Sequence, residues 1–509
     1  MILSYLYLTL LNCFKFQSLK ILLINPPAEN TVPEFADEKG EGYVEADDYG
    51  YFPPLGALYV LSYAKKKYPE HDYFFIDCVG EEITYPKLEL KIKELQPDIV
   101  GITSFTISMI DVVLTANVVR KVVPYAHLCL GGHHPTAFAY EASQLQQFDT
   151  IVVGEGEYAF AELINCIVNK NDYTQILGVY TKTSIMRFVT EEFRDRRFLA
   201  HMNVPPAYVD NVDDIPSPDR NYIKHINYSS IVGLTGKLAT MITTRGCPYK
   251  CTFCDVPYKT YRQRNLDLVM DEIQECIDLG YKEFHFYDDL FNITSQKIID
   301  FCIALEQRNI QIVWDFRGRV NGVTKESLVY AKKVGLRMIS FGVETGSDIG
   351  MKTLKKGTNI AQVQRVFEWC KELEIKTIAN YMIGLPHEKS PEDIRENVDF
   401  LIKLNPDYAQ FNILSLYPHT QVHKDALKLG FAEEGKWERF SLDPLNYKFK
   451  VEHWTEFMTE KELIDLQRES YKRFYFRPKY IWNSLKKTAT PHEFKMKVKG
   501  ALRLLNINI

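Results

Sequence analysis

The sequence predicts an α/β protein: an amino-terminal doubly wound, Rossmann-like parallel sheet, then a partial (β/α)6 barrel, then a helical layer. Three observations predict it. From Lys20 onward, short β-rich runs alternate with stretches whose apolar residues recur at helical spacing. The runs are nearly continuously apolar, as in Ile21-Leu22-Leu23-Ile24, the pattern of strands covered on both faces. The alternation breaks at Asp213-Asp214-Ile215-Pro216-Ser217-Pro218-Asp219 and then resumes, so two such units follow one another.

At the start, Met1–Phe14 is apolar and uncharged, but shorter than the ~20 residues a membrane helix needs. It has no basic leader and no small-residue cleavage site, so residues 1–18 read as a packed extension or a start assigned too early. The first unit, 19–170, has candidate strands at Lys20–Asn25, Tyr73–Asp77, Ile99–Ser104, His127–Gly131 and Thr150–Val153. A helical pattern such as Ile107–Val123 lies between them. Ligands of such sheets bind at the carboxyl ends of the strands. The turns there are Asn25-Pro26-Pro27, Thr103-Ser104, Gly131-Gly132-His133-His134-Pro135 and Gly154-Glu155-Gly156-Glu157. No G-x-G-x-x-G is present, and two acids in the last turn would repel a pyrophosphate, so the dinucleotide fingerprint is absent.

Residues 171–232 read as a linker segment. The second unit, 233–450, has candidate strands at Ala239–Thr244, Glu283–Tyr287, Gln311–Phe316, Met338–Val343, Thr377–Ile383 and Tyr408–Leu416. Helices such as Leu266–Leu279 and Pro391–Leu404 separate them, and six repeats of this kind make a partial barrel whose chemistry sits on the loops after the strands. The last segment, 451–509, is basic and aromatic. From Lys461 onward it has twelve Lys/Arg against four Asp/Glu, a net of +8, while the whole chain carries −5 and the rest therefore −13. It reads first as a terminal layer whose aromatics pack while its bases stay solvated. The alternative is peripheral contact with an anionic membrane surface or a phosphate-bearing substrate.

With 46% apolar and 25% charged residues among 509, the composition is that of a folded globular protein and excludes disorder and collagen-like repeats. The charge balance gives no reason to expect a non-specific nucleic-acid binder. Ten cysteines are too few for a disulfide framework in a chain this long, and they point to a reducing, cytoplasmic compartment. Three of them crowd into Gly246-Cys247-Pro248-Tyr249-Lys250-Cys251-Thr252-Phe253-Cys254, a C-x3-C-x2-C loop after the first strand of the second unit. Three thiolates in one loop can hold three corners of an iron–sulfur cube and leave one iron open. A structural zinc site would want a fourth ligand at regular spacing, and the nearest candidates, Cys276 and His285, fall on a predicted helix and strand.

Four further segments follow successive strands: Tyr287-Asp288-Asp289-Leu290-Phe291, Phe316-Arg317-Gly318-Arg319-Val320, Phe341-Gly342-Val343-Glu344-Thr345-Gly346 and Asn380-Tyr381-Met382-Ile383-Gly384-Leu385-Pro386. With the cysteine loop before them, they resemble the radical S-adenosylmethionine (SAM) enzymes, in the class with an amino-terminal cobalamin-binding domain. The resemblance spans about residues 20–450. It implies a 4Fe-4S cluster on Cys247, Cys251 and Cys254, with SAM on the open iron and Phe253 near the adenine. It implies that Asp288 and Asp289 meet the SAM amino group, that Arg319 joins the cofactor contacts, that Glu344 reaches the ribose, and that Met382 and Gly384 lie near the adenine.

For the first unit the resemblance implies cobalamin across the strand ends. Its expected contacts are Thr103, Ser104, Gly131, Gly132, His133, Gly154 and Glu155. The D-x-H-x-x-G motif that supplies a cobalt-binding histidine in other cobalamin enzymes is absent. Cys13, Cys78, Cys129 and Cys166 are isolated, which argues against a second cluster.

The activity so implied is reductive cleavage of SAM to a 5′-deoxyadenosyl radical and, with cobalamin, methylation of an unactivated carbon or phosphorus centre. The alternative is an oxidoreductase or cyclase acting on a tetrapyrrole or lipid-like substrate, like the anaerobic magnesium-protoporphyrin monomethyl ester cyclase. A non-catalytic cobalamin or cluster sensor ranks last. The expected partners are a small-molecule substrate and a reductant such as flavodoxin or ferredoxin, with no specific nucleic acid.

Overall fold

The computed structural model describes residues 18–34, 50–189, 204–230, 232–234, 237–488 and 490–504. The expected extension at 1–18, Cys13 included, lies outside the described residues except for Ser18.

The first domain begins with β1 (Lys20–Asn25), β2 (Gly50–Tyr51), α1 (Leu55–Lys67), β3 (Asp72–Asp77), α2 (Tyr85–Leu95), β4 (Ile99–Ser104) and α3 (Met109–Val122). It continues through β5 (His127–Gly132), α4 (His133–Ala137), α5 (Ala139–Gln144), β6 (Thr150–Val152), α6 (Gly156–Asn169) and β7 (Val179–Tyr180). The sheet order is β3-β1-β4-β5-β6-β7, parallel except for β7. Side chains alternate across it as strand geometry requires. Ile21 and Leu23 join the core under α1 and α6, while Leu22 and Ile24 join the core under α2 and α3.

The sheet extends past the expected boundary at 170, because β7 adds an antiparallel edge through Ile151↔Tyr180. The expected linker is also packed. Val209, Val212, Ile215, Ile223, Ile226 and Tyr228 are buried against Leu55, Leu58 and Tyr59 of α1. Pro216 and Pro218 have no amide donor to satisfy, so this strap can pack without a strand ladder.

β8 (Ser229–Ser230) pairs antiparallel with β2 and leads into the second domain. There the chain forms β9 (Leu238–Met241), β10 (Thr244–Arg245), β11 (Arg262–Gln263), α7 (Leu266–Asp278), β12 (Glu283–Phe286), α8 (Ser295–Gln307), β13 (Val313–Gly318) and α9 (Lys325–Lys333). Then follow β14 (Leu336–Glu344), α10 (Asp348–Thr353), α11 (Ile360–Glu372), β15 (Lys376–Ile383), α12 (Pro391–Leu404) and β16 (Tyr408–Ile413). Six parallel strands run in the order β16-β15-β14-β13-β12-β9, the partial barrel the sequence predicts. Outward residues such as Met241, Phe284, Trp314, Phe316, Phe341 and Phe411 form one buried core beneath the helices. Inward positions are polar, with His285, Asp315, Arg317, Ser340 and Asn380 among them.

The chain closes with α13 (Gln421–Leu429), α14 (Lys436–Leu442), α15 (Glu460–Tyr475), α16 (Pro478–Lys486) and α17 (Pro491–Leu504). Trp437 and Phe440 of α14 reach back into the first domain's core. The aromatics of α15 and α16 do more than pack. β16 is an edge strand, and its outer backbone groups are covered by side chains. The Tyr471 hydroxyl accepts from Phe411 N at 3.2 Å, the Tyr475 hydroxyl donates to Ala409 O at 2.7 Å, and Gln467 Nε2 donates to Phe411 O at 2.8 Å. Blocking the edge in this way prevents strand addition from another chain. Among the described residues, no helix is long and apolar enough to cross a membrane.

Candidate active site

After β9 the chain makes a short antiparallel clamp, Thr244 with Gln263 and Arg245 with Arg262. The clamp closes a loop, 246–261, that carries the free thiols of Cys247, Cys251 and Cys254, each half-buried. Gly246 opens the loop at φ +82°, and a Cβ there would lie 2.2 Å from Thr260 O, so the close crossing demands glycine. The backbone is pinned from three sides: Cys247 N donates to Tyr258 O at 3.0 Å, Thr252 N to Leu354 O at 3.1 Å, and Val422 N to Thr252 O at 3.1 Å. Burial pushes the Cys247 and Cys254 thiols up, a cost that metal ligation offsets because the thiolate is the ligand.

Arg319 stands over this loop. Its Nη1 donates to Cys251 Sγ at 3.4 Å, and its guanidinium carbon lies 3.8 Å from the Tyr249 ring centre. Its Nη2 is buried with no hydrogen-bond partner among the described residues. A cation with an unused donor beside three thiols fits an anionic iron–sulfur cube with three protein ligands.

The other barrel residues divide. Asp289 accepts from Gly246 N at 2.8 Å, next to the cysteines, and burial raises its pKa. Asp288 accepts from Thr243 N at 2.5 Å, Thr244 N at 2.7 Å and the Thr243 hydroxyl at 2.7 Å. Asp288 thus braces the turn after β9, and its carboxylate is engaged by the protein. Glu344 sits at φ +69°, an uncommon conformation for a residue with a side chain, and its Oε1 accepts from Lys356 Nζ at 3.1 Å. Lys356 Nζ in turn lies 5.8 Å from the Phe253 ring centre, tying the end of β14 to the cysteine loop. Phe253 packs on a cluster that contains Met382 and Leu385. Gly384, at φ +71°, turns the chain where a Cβ would lie 2.9 Å from Leu463 of α15.

Across the crevice lie the strand ends of the first domain. A Cβ at Gly131 would meet nothing within 4 Å, whereas one at Gly132, at φ +98°, would lie 2.6 Å from Ser104 O. Gly131 therefore marks an open face with room for a bulky ligand. Phe105, 61% exposed although apolar, stacks on His133 with ring centroids 5.5 Å apart and 16° between planes. Burial lowers the His133 pKa and Asp289 of the barrel opposes the shift, so the two strand-end faces lie close to one another.

Three expected cobalamin contacts have partners within the protein. The Ser104 hydroxyl donates to Gly131 O at 2.7 Å. Gly154 is pressed against the strap, where a Cβ would lie 2.3 Å from Ala207 O. Glu155 lies in the seam between the domains, with Arg262 Nη1 at 2.7 Å and Arg245 Nη1 at 3.2 Å. Arg245 also reaches Glu157 at 2.5 Å. The half-buried Thr103 hydroxyl makes no hydrogen bond to a described residue and stays available. His134 is fully buried, 3.2 Å from the Thr106 hydroxyl, and burial holds its pKa down to about 3.

Sequence reasoning passed over Arg245, Phe105 and Phe52. Arg245 directly precedes Gly246-Cys247, and Phe105 directly follows Thr103-Ser104, so position next to a motif was the signal for both. Phe52 had none: it enters the barrel from the first domain, 4.9 Å from Tyr287 between ring centres.

Comparison with known proteins fits this geometry. The B12 binding domain family matches residues 44–164 and the radical SAM superfamily matches residues 241–401. This is a radical SAM enzyme with a B12-binding domain. An uncharacterized methyltransferase of Pyrococcus horikoshii is 28% identical, over 96% of this chain and 98% of its own. The anaerobic magnesium-protoporphyrin IX monomethyl ester cyclase of Cereibacter sphaeroides is 28% identical, over 85% of this chain and 68% of its own. The solved structure of the radical SAM methyltransferase TsrM from Kitasatospora setae superposes with a TM-score of 0.62 at 20% identity, covering 81% of this chain and 76% of that one. The enzyme's cofactors are accordingly SAM, a 4Fe-4S cluster and cobalamin.

Proposed function

We propose that the enzyme transfers a methyl group from SAM, by way of cobalamin, to an unactivated carbon or phosphorus centre. The observation that carries this reading is the seam. Arg245, at the root of the cysteine loop, is clamped by Glu155 and Glu157 from the turn after β6. The cluster loop and the B12 strand ends are thereby held at one crevice, where two cofactors can serve one substrate. A methyltransferase relative aligned along nearly its whole length supports the same reading.

When bound, the cofactors supply one-electron cleavage of SAM and delivery of a methyl group. The chain's own residues bind and orient. Cys247, Cys251 and Cys254 hold three irons, and Arg319 faces the cluster's charge with its free Nη2. Phe253, Met382 and the Glu344–Lys356 pair give SAM an apolar wall and a polar edge. Thr103, Gly131 and the Phe105–His133 stack line the corrin face. Closing the two faces together excludes water from reactive species.

The likeness to the cyclase supports a second reading, ring-forming or oxidative chemistry on a tetrapyrrole or lipid-like substrate. Anaerobic incubation with SAM, a strong reductant and candidate substrates separates the two. Methyl transfer releases S-adenosylhomocysteine together with 5′-deoxyadenosine. The second reading releases 5′-deoxyadenosine alone, and that result with a consumed substrate would overturn the first.

A further inference from the structure

The inner surface of the barrel is not charge-balanced along its length. Toward the amino ends of the strands, His285 Nδ1 lies 2.9 Å from Asp315, and Arg337 Nη2 lies 3.0 Å from Asp315 and 3.2 Å from Glu283. Glu283, His285 and Asp315 are buried, Arg337 is partly so, and the four neutralise one another. Arg337 already occupies both carboxylates, so the set is a packed floor and not a cation site.

Two residues further along β13, Arg317 points to the same side. Its guanidinium carbon lies 4.1 Å from the centre of the Tyr287 ring, and it makes no ion pair among the described residues. Although it sits on a central strand, its side chain is exposed. Among the described residues, its neighbours on this wall are neutral. Ser340 is its register partner on β14, and the Ser340 hydroxyl accepts from Asn380 Nδ2 at 2.9 Å. Phe52 completes the wall beside Tyr287. An uncompensated cation between low-dielectric walls attracts anions more strongly than one on an open surface. The guanidinium fork matches a carboxylate or a phosphoryl group, and the rings suit a flat apolar body.

We propose that Arg317 anchors an anionic group of the substrate, a carboxylate or a phosphoryl oxygen set, while the substrate's apolar body lies against Tyr287 and Phe52. The proposal rests on the crevice being the substrate chamber of the reaction above, but its test reads binding and not turnover, so the two fail separately.

The experiment uses the full chain loaded with cluster and cobalamin, with saturating SAM, and titrates benzoate, phenylphosphonate and neutral benzamide by calorimetry. Wild type is expected to bind at least one anion on the order of tenfold more tightly than benzamide. The tighter of the two anions identifies the group, carboxylate or phosphoryl. Arg317→Met is expected to lose that preference, Arg317→Lys to recover part of it, and Arg308→Met, on the outer surface, to leave it intact. Three results would overturn the proposal: benzamide binding as tightly as the anions, an unchanged preference in Arg317→Met, or anion binding that appears only when SAM is left out, which would give Arg317 to the carboxylate of SAM.

Discussion

In the first domain the strand ends facing the crevice carry Thr103, two glycines and the Phe105–His133 ring pair. In the barrel they carry three thiols, Asp289, Arg319 and the Glu344–Lys356 pair. The first face is neutral and open, the second charged and crowded. The first domain's charged turn, Gly154-Glu155-Gly156-Glu157, is turned toward the barrel and fastens the domains together. The difference teaches that one face suits a large ligand by shape and exposed backbone, while the other offers specific charged atoms to small cofactors.

The sharpest way to break this contrast is to remove each cofactor without the other. Cys251→Ala should abolish the visible absorbance and iron content of the reconstituted cluster while corrin retention stays near wild type. Gly131→Leu should do the converse, filling the open face and losing corrin while iron content holds. If either change removes both cofactors, the faces are not independent.

Stability should follow the same division, with smaller effects. Glu272 is fully buried between Arg220 at 2.7 Å and Arg264 at 2.5 Å. Glu272→Gln should cost about 3–5 kcal/mol, because it leaves two enclosed cations without a counter-charge. Glu155→Gln, in the less enclosed seam, should cost about 2 kcal/mol. Denaturant unfolding should split that variant's transition into two steps, and a single step with an unchanged midpoint would remove the seam's assigned role.

The smallest effect is a pH dependence confined to the barrel floor. Burial works against a charged His285, but Asp315 and Glu283 outweigh it and hold the imidazole up to about 9. A pKa raised above the unfolded value gives stability that is fully present below about 6.5 and lost as pH rises through about 9. Wild type should therefore lose stability across that window, and His285→Gln should lose less. Equal slopes in denaturant melts would show that the ion pair does not titrate there.

Much of this was legible in the sequence where function depends on close spacing. Cys247, Cys251 and Cys254 share one loop, so their joint chemistry shows in a nine-residue string. Strand order in the barrel follows chain order, so the one-motif-per-strand pattern was readable too. Illegible were the partners of Glu155 and Asp288. Both looked like cofactor contacts, yet arginines and amides from other segments engage them. The linker around Pro216 also misled, since turn-forming residues hide an apolar register that packs on α1.

The sequence by itself determined the fold class, the three-cysteine loop and the order of the two domains. Each follows from local periodicity or from residues within one turn of backbone, where a side chain's neighbours are fixed by covalent distance. Only the tertiary structure decided which carboxylates fasten the protein to itself, that Phe52 enters the barrel, and that Arg317 makes no ion pair among the described residues. Those outcomes depend on contacts between segments far apart in the chain, for which burial and charge balance hold no record in any local pattern.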